Sequence, residues 1–219
     1  SKQGRFIKVV MRLLFLDSVL RSINMKKIIT ISREFGAGGR SIGREVAGKL
    51  GIAFYDRDII LKTAQETTDL TPDEIRRFEE KTHINVGFTQ SLFDYYSRPI
   101  DEKIWDAQIK AIRNLAEKES CVIVGRNADY ILREFDHLLR VFVYADKEWR
   151  VRHLKTLMDG TDSEIEAKMN QADKARKNYC SKLTGKVYGD AHNYDLSINT
   201  GKLSFDKAVE LILNTVDAV

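Results

Sequence analysis

Three groups of polar residues in this chain have side chains suited to binding phosphate, and each group directly follows an apolar run. Arginine guanidinium groups can hydrogen-bond to two phosphate oxygens at once. Carboxylates can hold the waters of Mg²⁺ or a sugar hydroxyl. The three groups are Ser32-Arg33 with the glycine loop at 36–39, Asp56-Arg57-Asp58, and Gly125-Arg126-Asn127.

The glycine loop, Gly36-Ala37-Gly38-Gly39, connects an apolar run at 28–31 to residues with helical spacing, namely Ile42, Val46 and Leu50. Small residues allow backbone N–H groups to surround phosphate oxygens, and the start of a helix adds a partial positive charge. A strand, a glycine loop and a helix in this order therefore predict a phosphate-binding site.

The other two groups have competing interpretations. An aspartate before a helix is an ordinary N-cap, so Asp56 fits a structural role as well as a functional one. Arg126 lies between a fully apolar run, Cys121-Val122-Ile123-Val124, and a predicted helix. Ligands of open α/β sheets bind at the carboxyl ends of strands, which favours a functional role for Arg126.

A long predicted helix near the C-terminus, at about 162–183, is rich in lysine and arginine. A run of charge usually marks a solvated helix face. The alternative is a lid whose cations close over a triphosphate and exclude water, with Gly185 and Gly189 allowing it to move. The sequence alone leaves both interpretations open.

Composition limits the class of protein. The 219 residues are 43% hydrophobic and 31% charged with a net charge of +4. This predicts a globular protein and favours a small anionic ligand at least as much as nucleic acid. The basic helix lacks interleaved aromatic residues, so neither DNA nor RNA binding is expected. No apolar run approaches the roughly 20 residues that span a bilayer, so no membrane insertion is expected. Two cysteines, Cys121 and Cys180, cannot form a disulfide framework, and we predict a cytoplasmic protein.

Strands alternate with helices along the chain, which predicts a parallel sheet covered on both faces. A capping box at Thr71 predicts a helix to about residue 81. The aromatic stretch at 83–99 has neither the helical nor the strand periodicity of apolar residues. Residues 1–24 are interpreted as an extension that is not native, with Met25 as the start; a short amphipathic helix is the alternative. Predicted strands cover 28–31, 52–55, 121–124, 138–144 and 195–198; other predicted helices cover 40–50, 59–67, 101–118, 146–158 and 204–216, with one ending near 135.

From Met25 onward the chain resembles the cytidylate kinase-like branch of the P-loop nucleoside monophosphate kinases. The resemblance is carried by ITISREFGAGGRSIG at 29–43, FYDRDII at 54–60 and CVIVGRNADYIL at 121–132. It implies a P-loop NTPase fold, a three-layer α/β/α sandwich with a five-stranded parallel sheet. It also implies one domain at 25–219, with a helical substrate-side insertion at about 68–118 and a lid at about 160–190.

The same resemblance implies phosphoryl transfer from Mg-ATP to a nucleoside monophosphate, CMP- or dCMP-like, or to a related small acceptor, by a monomer or homodimer. Arg40, Arg126 and Arg176 would be catalytic, and Ser41 would bind Mg²⁺. The remaining implied assignments are Gly36, Ala37, Gly38, Gly39, Arg40 and Ser41 for ATP; Arg33, Arg57, Asp58, Arg126 and Asn127 for the acceptor; and Lys174, Arg176 and Lys177 for the lid.

Two positions depart from the family pattern. The family loop runs glycine-alanine-glycine-lysine, whereas this chain has Gly39 at the lysine position and Arg40 after it. We expect Arg40 or Arg33 to supply the missing cation. Asn127 replaces an aspartate of the cytidylate kinases proper, which leaves the acceptor base open. The missing lysine also motivates an alternative function, a nucleotide-binding regulatory protein without turnover.

Overall fold

Five parallel strands form the central sheet of the protein in a computed structural model, which describes residues 26–67 and 102–219. The sheet order is β2-β3-β1-β4-β5, so the first strand lies in the middle. The predicted number and direction of strands are confirmed. Two strands have the predicted bounds, and the other three differ by one or two residues at one or both ends. The strands are β1 Ile28–Arg33, β2 Ala53–Tyr55, β3 Cys121–Val124, β4 Leu138–Tyr144 and β5 Leu196–Asn199.

The register of β1 brings two of the predicted polar groups together. Ile31 is paired with Val124 of β3, and the N–H of Gly125 donates to the carbonyl oxygen of Ile31 at 3.0 Å. Arg33 on β1 and the turn that follows β3 are therefore neighbours at the carboxyl edge of the sheet. The β-branched residues of both strands suit this position, because central parallel strands are buried on both faces.

Seven helices are present within residues 26–67 and 102–219, with a 3₁₀ turn at Ala191–Asn193. Gly51 ends α1 in a left-handed conformation, and Thr161 begins α6 with the predicted capping box. The helix expected to reach residue 135 ends at Ile131. Turns with hydrogen bonds from the N–H of residue i+3 to the carbonyl oxygen of residue i replace its second half. The helices are α1 Gly39–Leu50, α2 Arg57–Thr67, α3 Glu102–Lys118, α4 Ala128–Ile131, α5 Lys147–Lys155, α6 Asp162–Thr184 and α7 Phe205–Val216.

Helices cover both faces of the sheet, as predicted. On one face, α1 and α7 bury residues such as Val46 and Ile212 against Ile29 and Ile31. On the other face, α3 and α4 pack around Ile123. The result is a three-layer α/β/α sandwich.

A smaller apolar cluster joins α5 and α6 to the glycine loop. Ile165 and Met169 of α6 are fully buried and pack with Leu154 of α5 and with Phe35, which precedes the loop. The basic helix is therefore not simply a solvated segment, since one face is packed. Its opposite face carries the exposed Lys174 and Lys177.

Some predictions fall outside the described residues: the extension at 1–24, the helix at 71–81 and the aromatic stretch at 83–99. Of the predicted insertion, only the α3 portion is described. Among the helices at 26–67 and 102–219, none is long and apolar enough to cross a membrane.

Two glycines of α1 should respond in opposite ways to alanine. A Cβ at Gly43 would lie 2.9 Å from Val124 Cγ2 and 3.1 Å from Ile31 Cδ1, whereas nothing lies within 4 Å at Gly48. We expect Gly43→Ala to lower the free energy of unfolding by about 1–3 kcal/mol through overpacking. Gly48→Ala should raise it by about 0.5–1 kcal/mol through helix propensity. Chemical denaturation of both variants tests this, and equal signs would contradict the close approach of α1 to the sheet.

Candidate phosphate-binding site

The glycine loop between β1 and α1 depends on glycine for its backbone and its surroundings. Gly36 and Gly38 have φ of 81° and 85°, in the left-handed region that glycine adopts readily. Leu154 of α5 lies against Gly36, where a Cβ would meet its Cγ at 2.8 Å. The ring of Phe205, from the start of α7, lies against Gly38 with Cε1 2.6 Å from a Cβ built there. Side chains at either position would displace these neighbours.

A cavity of about 520 Å³ opens between this loop, α5 and α6. Ser41, in the first turn of α1, is exposed and lines it. Among the described residues that line it, four are cationic and Glu34 alone is acidic, so this part of the cavity favours an anion. The cationic lining residues are Arg33, Arg40, Lys168 and Arg176.

A second, narrow pocket lies at the carboxyl ends of β1 and β3. Three arginines reach it from different elements: Arg33 from β1, Arg126 from the turn after β3, and Arg176 from α6. The residues Arg126 and Arg176 are only 2% and 5% exposed. Arg33 and Arg176 also line the larger cavity, so the two spaces are adjacent. Clustered guanidinium groups of this kind suit a phosphate group.

The turn after β3 has an unusual backbone. Gly125, Arg126 and Asn127 have φ of 81°, 61° and 53°, three consecutive residues in the left-handed region. Each such residue other than glycine costs about 1–2 kcal/mol. Gln108, fully buried on α3, places its Nε2 3.5 Å from the carbonyl oxygen of Arg126 and 3.3 Å from the hydroxyl of Tyr179. Neighbouring elements thus hold the strained conformation that directs Arg126 into the pocket.

Arg40 is directed toward β2. Its Nε donates to Asp56 Oδ2 at 2.9 Å, and its side chain is 45% exposed. Asp56 also accepts from the N–H of Asp58 at 3.2 Å, so it caps α2 and pairs with Arg40 at once. Arg57 and Asp58 lie beside this pair, Asp58 being 69% exposed, and neither lines the two spaces described above.

An ion pair between α5 and α6 holds the backbone of Phe35, the residue that precedes the glycine loop. Asp173 Oδ1 accepts from the N–H of Phe35 at 2.7 Å, and Arg150 donates to the carbonyl oxygen of Phe35 at 3.1 Å. The two side chains pair at 2.5 Å and are 14% and 9% exposed. Both polar groups of Phe35 are therefore satisfied by one largely buried pair.

Asp129 on α4 is the buried carboxyl group next to the narrow pocket. It accepts from the hydroxyl of Ser32 at 3.2 Å. Burial raises the pKa of Asp129, and the hydrogen bonds and the nearby cations Lys186 and Arg140 oppose this only in part. Asp129 is therefore protonated more readily in the folded protein than an exposed aspartate would be.

The sequence profile of the cytidylate kinase-like family matches residues 28–202. The chain belongs to the cytidylate kinase-like family. A cytidylate kinase of Archaeoglobus fulgidus is 27% identical over 194 residues, which cover 86% of this chain and 94% of that protein. The resemblance read from the three motifs is confirmed.

Solved structures agree with this membership. An uncharacterized protein from Eubacterium ventriosum superposes with a TM-score of 0.70 at 26% identity, covering 89% of this chain and all of the other. A shikimate kinase from Bacteroides thetaiotaomicron gives a TM-score of 0.51 at 16% identity, covering 87% and 98% of the two chains. The second likeness shows the fold alone, and it is the P-loop kinase fold that the resemblance implied.

The structure brings some predicted site residues together and separates others. The glycine loop, Arg33, Arg126, Asn127 and Arg176 line the two adjacent spaces. The sequence patterns gave no indication of Arg150, Gln108 or Tyr188. Asp173 lies three residues before Arg176, and this spacing places both side chains on one face of the helix. The spacing is the sequence signal that could have identified Asp173 as part of the site.

Removing Asp173 should destabilise the protein far more than removing an exposed acid on the same helix. Asp173→Ala removes the closer carboxylate of the buried Arg150, whose other partner is Glu34 at 3.5 Å, and it also removes the acceptor of the Phe35 N–H. We expect a loss of about 3 kcal/mol in the free energy of unfolding. Glu166→Ala is the matched control, because Glu166 pairs with Lys147 of α5 at a site where both are well exposed. The control should lose less than about 1 kcal/mol. Similar losses in denaturant titrations would contradict the proposed importance of the Phe35 contacts.

Asp129 and Asp195 should give opposite pH dependences of stability. Folding raises the pKa of Asp129, so the contribution of this carboxyl group to stability falls as the pH rises through the raised pKa. We therefore expect Asp129→Asn to raise Tm at pH 8 and not at pH 4.

Burial alone would raise the pKa of Asp195, but the hydrogen bonds from Arg140 outweigh burial and lower this pKa. The contribution of Asp195 to stability is present above the ordinary carboxyl pKa and is lost as the pH falls through the lowered pKa. We therefore expect Asp195→Asn to lower Tm at pH 8 and to have a smaller effect in acid. Thermal melts across this range test both signs.

Proposed function

We propose that this protein transfers a phosphoryl group from Mg-ATP to a nucleoside monophosphate, CMP- or dCMP-like, or to a related small acceptor. The observation that carries the proposal is the convergence of Arg33, Arg126 and Arg176 between the glycine-loop cavity and the turn after β3. Two adjacent anion-binding spaces that share arginines are what transfer between two phosphates requires.

The glycine-loop cavity is the proposed donor site. Backbone N–H groups of Gly36 to Ser41, at the start of α1, would bind the phosphates of ATP. The Ser41 hydroxyl is exposed in that first turn, where it suits an ion held largely by phosphate oxygens and water, as Mg²⁺ usually is. When bound, Mg²⁺ would neutralise charge on the transferring group.

The narrow pocket is the proposed acceptor-phosphate site. Arg126 and Asn127 would bind the monophosphate, with Arg57 and Asp58 assigned to the rest of the acceptor from the family pattern. The Nδ2 of Asn127 is buried and has no hydrogen-bond partner among the described residues, so it is available to donate to a bound anion. A related protein named cytidylate kinase favours CMP and dCMP as the first acceptors to test.

The chemistry follows from positioning and charge. An acceptor phosphate oxygen attacks the γ-phosphorus of ATP, and ADP leaves, so one P–O bond forms as another breaks. Arg176 lines both spaces from α6 and would contact the group in transit, while α6 limits the access of water. Lys174 and Lys177 lie on the exposed face of the same helix, and their assignment to a lid remains a prediction.

A nucleotide-binding regulatory protein without turnover is the second candidate function, favoured by Gly39 at the lysine position. It predicts ATP binding with no transfer to any acceptor. A cytoplasmic location, a monomeric or homodimeric state and the lack of DNA or RNA binding also remain predictions from the sequence.

A panel of nucleoside monophosphates with ATP and Mg²⁺, scored by ADP release, tests the proposal. We expect turnover with at least one pyrimidine monophosphate and a loss of about a hundredfold or more in kcat/KM for Arg126→Ala. Arg133→Ala is the matched control, since Arg133 lies on the exposed side of the same segment and donates to Tyr130. ATP binding by folded protein without turnover on any acceptor would reject the kinase and support the regulatory protein.

A further inference from the structure

We propose that Arg33 supplies the cation of the phosphate loop, in place of the lysine that Gly39 lacks. This assignment rests on the proposed donor site and names the residue that would contact the donor phosphates there. The sequence offered Arg40 and Arg33 as alternatives, and three observations favour Arg33.

The first observation is the space beside Gly39. Gly39 begins α1, is buried, and does not have the positive φ that would itself call for glycine. A Cβ at this position would lie 2.8 Å from Arg33 Cβ and 3.0 Å from Arg33 Cγ. The stem of Arg33 therefore occupies the space beside the lysine position of the family loop, and glycine at 39 is explained by Arg33 rather than by the backbone.

The second observation is the position of the guanidinium group. Gly125 begins the turn after β3, and a Cβ built on it would lie 2.9 Å from Arg33 Cζ and closer still to Nη1. The head of Arg33 thus lies over the Gly125 backbone, and the residue lines both the donor cavity and the narrow pocket. A cation at this point can contact the donor β- and γ-phosphates from the sheet side.

The backbone of Arg33 is held firmly at the end of β1. The hydroxyl of Tyr188 accepts from its N–H at 3.1 Å and donates to its carbonyl oxygen at 2.8 Å. Arg176 Nη1 also donates to that oxygen at 3.1 Å. These contacts fix the starting point of the Arg33 side chain, so little ordering is needed when an anion binds.

The third observation concerns Arg40. Its guanidinium bonds to the buried carboxylate of Asp56 on the β2 side, and Asp58 lies 3.9 Å away. The Asp56 charge offsets that of Arg40 and holds its guanidinium on the β2 side. Arg40 can line the mouth of the cavity, but Asp56 directs its charge away from the glycine loop.

Calorimetric titration of ATP and of tripolyphosphate tests the assignment without needing turnover. We expect Arg33→Met to weaken binding of both by about tenfold to a hundredfold, the usual effect of losing a charge-assisted contact. Arg40→Met should weaken binding less. Arg44→Met is the matched control on the exposed side of α1, where the guanidinium lies 5.4 Å from the Phe54 ring, and it should bind as the wild type does.

A double-mutant cycle tests the link to Gly39. Gly39→Ala should displace the Arg33 side chain and weaken ATP binding in the wild type. Methionine at 33 keeps the Cβ and Cγ that crowd position 39, so the steric cost to stability remains, but the loss of affinity that acts through the guanidinium should disappear. Arg33→Lys keeps the charge and should retain part of the affinity for ATP. This variant also replaces Arg33→Met in the comparison if Arg33→Met does not fold. Thermal melts establish that each variant is folded.

Three results would overturn the assignment: ATP affinity of Arg33→Met within twofold of the wild type, a larger loss for Arg40→Met, or additive losses for Gly39→Ala and Arg33→Met. Wild-type protein that binds neither ATP nor tripolyphosphate would overturn it as well. Binding with the expected ranking but no turnover on any acceptor would reject only the proposed kinase function.

Discussion

The contact on which the site depends is the pairing of Asp173 with Arg150 around the Phe35 peptide. A largely buried ion pair gains little by itself, because desolvation offsets its attraction. Here it satisfies both backbone groups of a residue that no strand partner reaches, directly before the glycine loop. The same pair connects α5 and α6 to that loop. Movement of α6 would separate Asp173 from Arg150 and from the N–H of Phe35, so the position of α6 and the shape of the loop are coupled.

A second constraint is the concentration of positive charge where the two spaces meet. Arg33, Arg126 and Arg176 repel one another, and two of them are almost fully buried. Asp173 lies 3.7 Å from Arg176 and offsets part of this charge, although it also pairs with Arg150. The folded protein keeps this arrangement because the strained turn and the packed α6 hold the arginines in place. A phosphate bound there, as we propose, would reduce the repulsion and so stabilise the folded site.

Local sequence patterns predicted the fold well because each is set by its own neighbours. Apolar β-branched runs such as Ile28–Ile31 form buried strands wherever they occur in such a sheet, and Thr161 caps its helix by contacts within three residues. The roles of Arg33 and Arg40 could not be separated in this way. Both lie close to the loop in sequence, and the partner that distinguishes them, Asp56, comes 16 residues after Arg40. Long-range pairing decides where a flexible side chain points.

The glycine at position 39 shows why a motif is better compared in space than along the chain. Along the chain, the loop has Gly39 where the resemblance led us to expect a lysine. In three dimensions the neighbouring space is filled by Arg33, which approaches from β1 rather than from α1. A lysine on a helix and an arginine on the adjacent strand can place positive charge at the same point by different backbone routes. The two positions are coupled in one direction, because the stem of Arg33 leaves too little room for a Cβ at position 39.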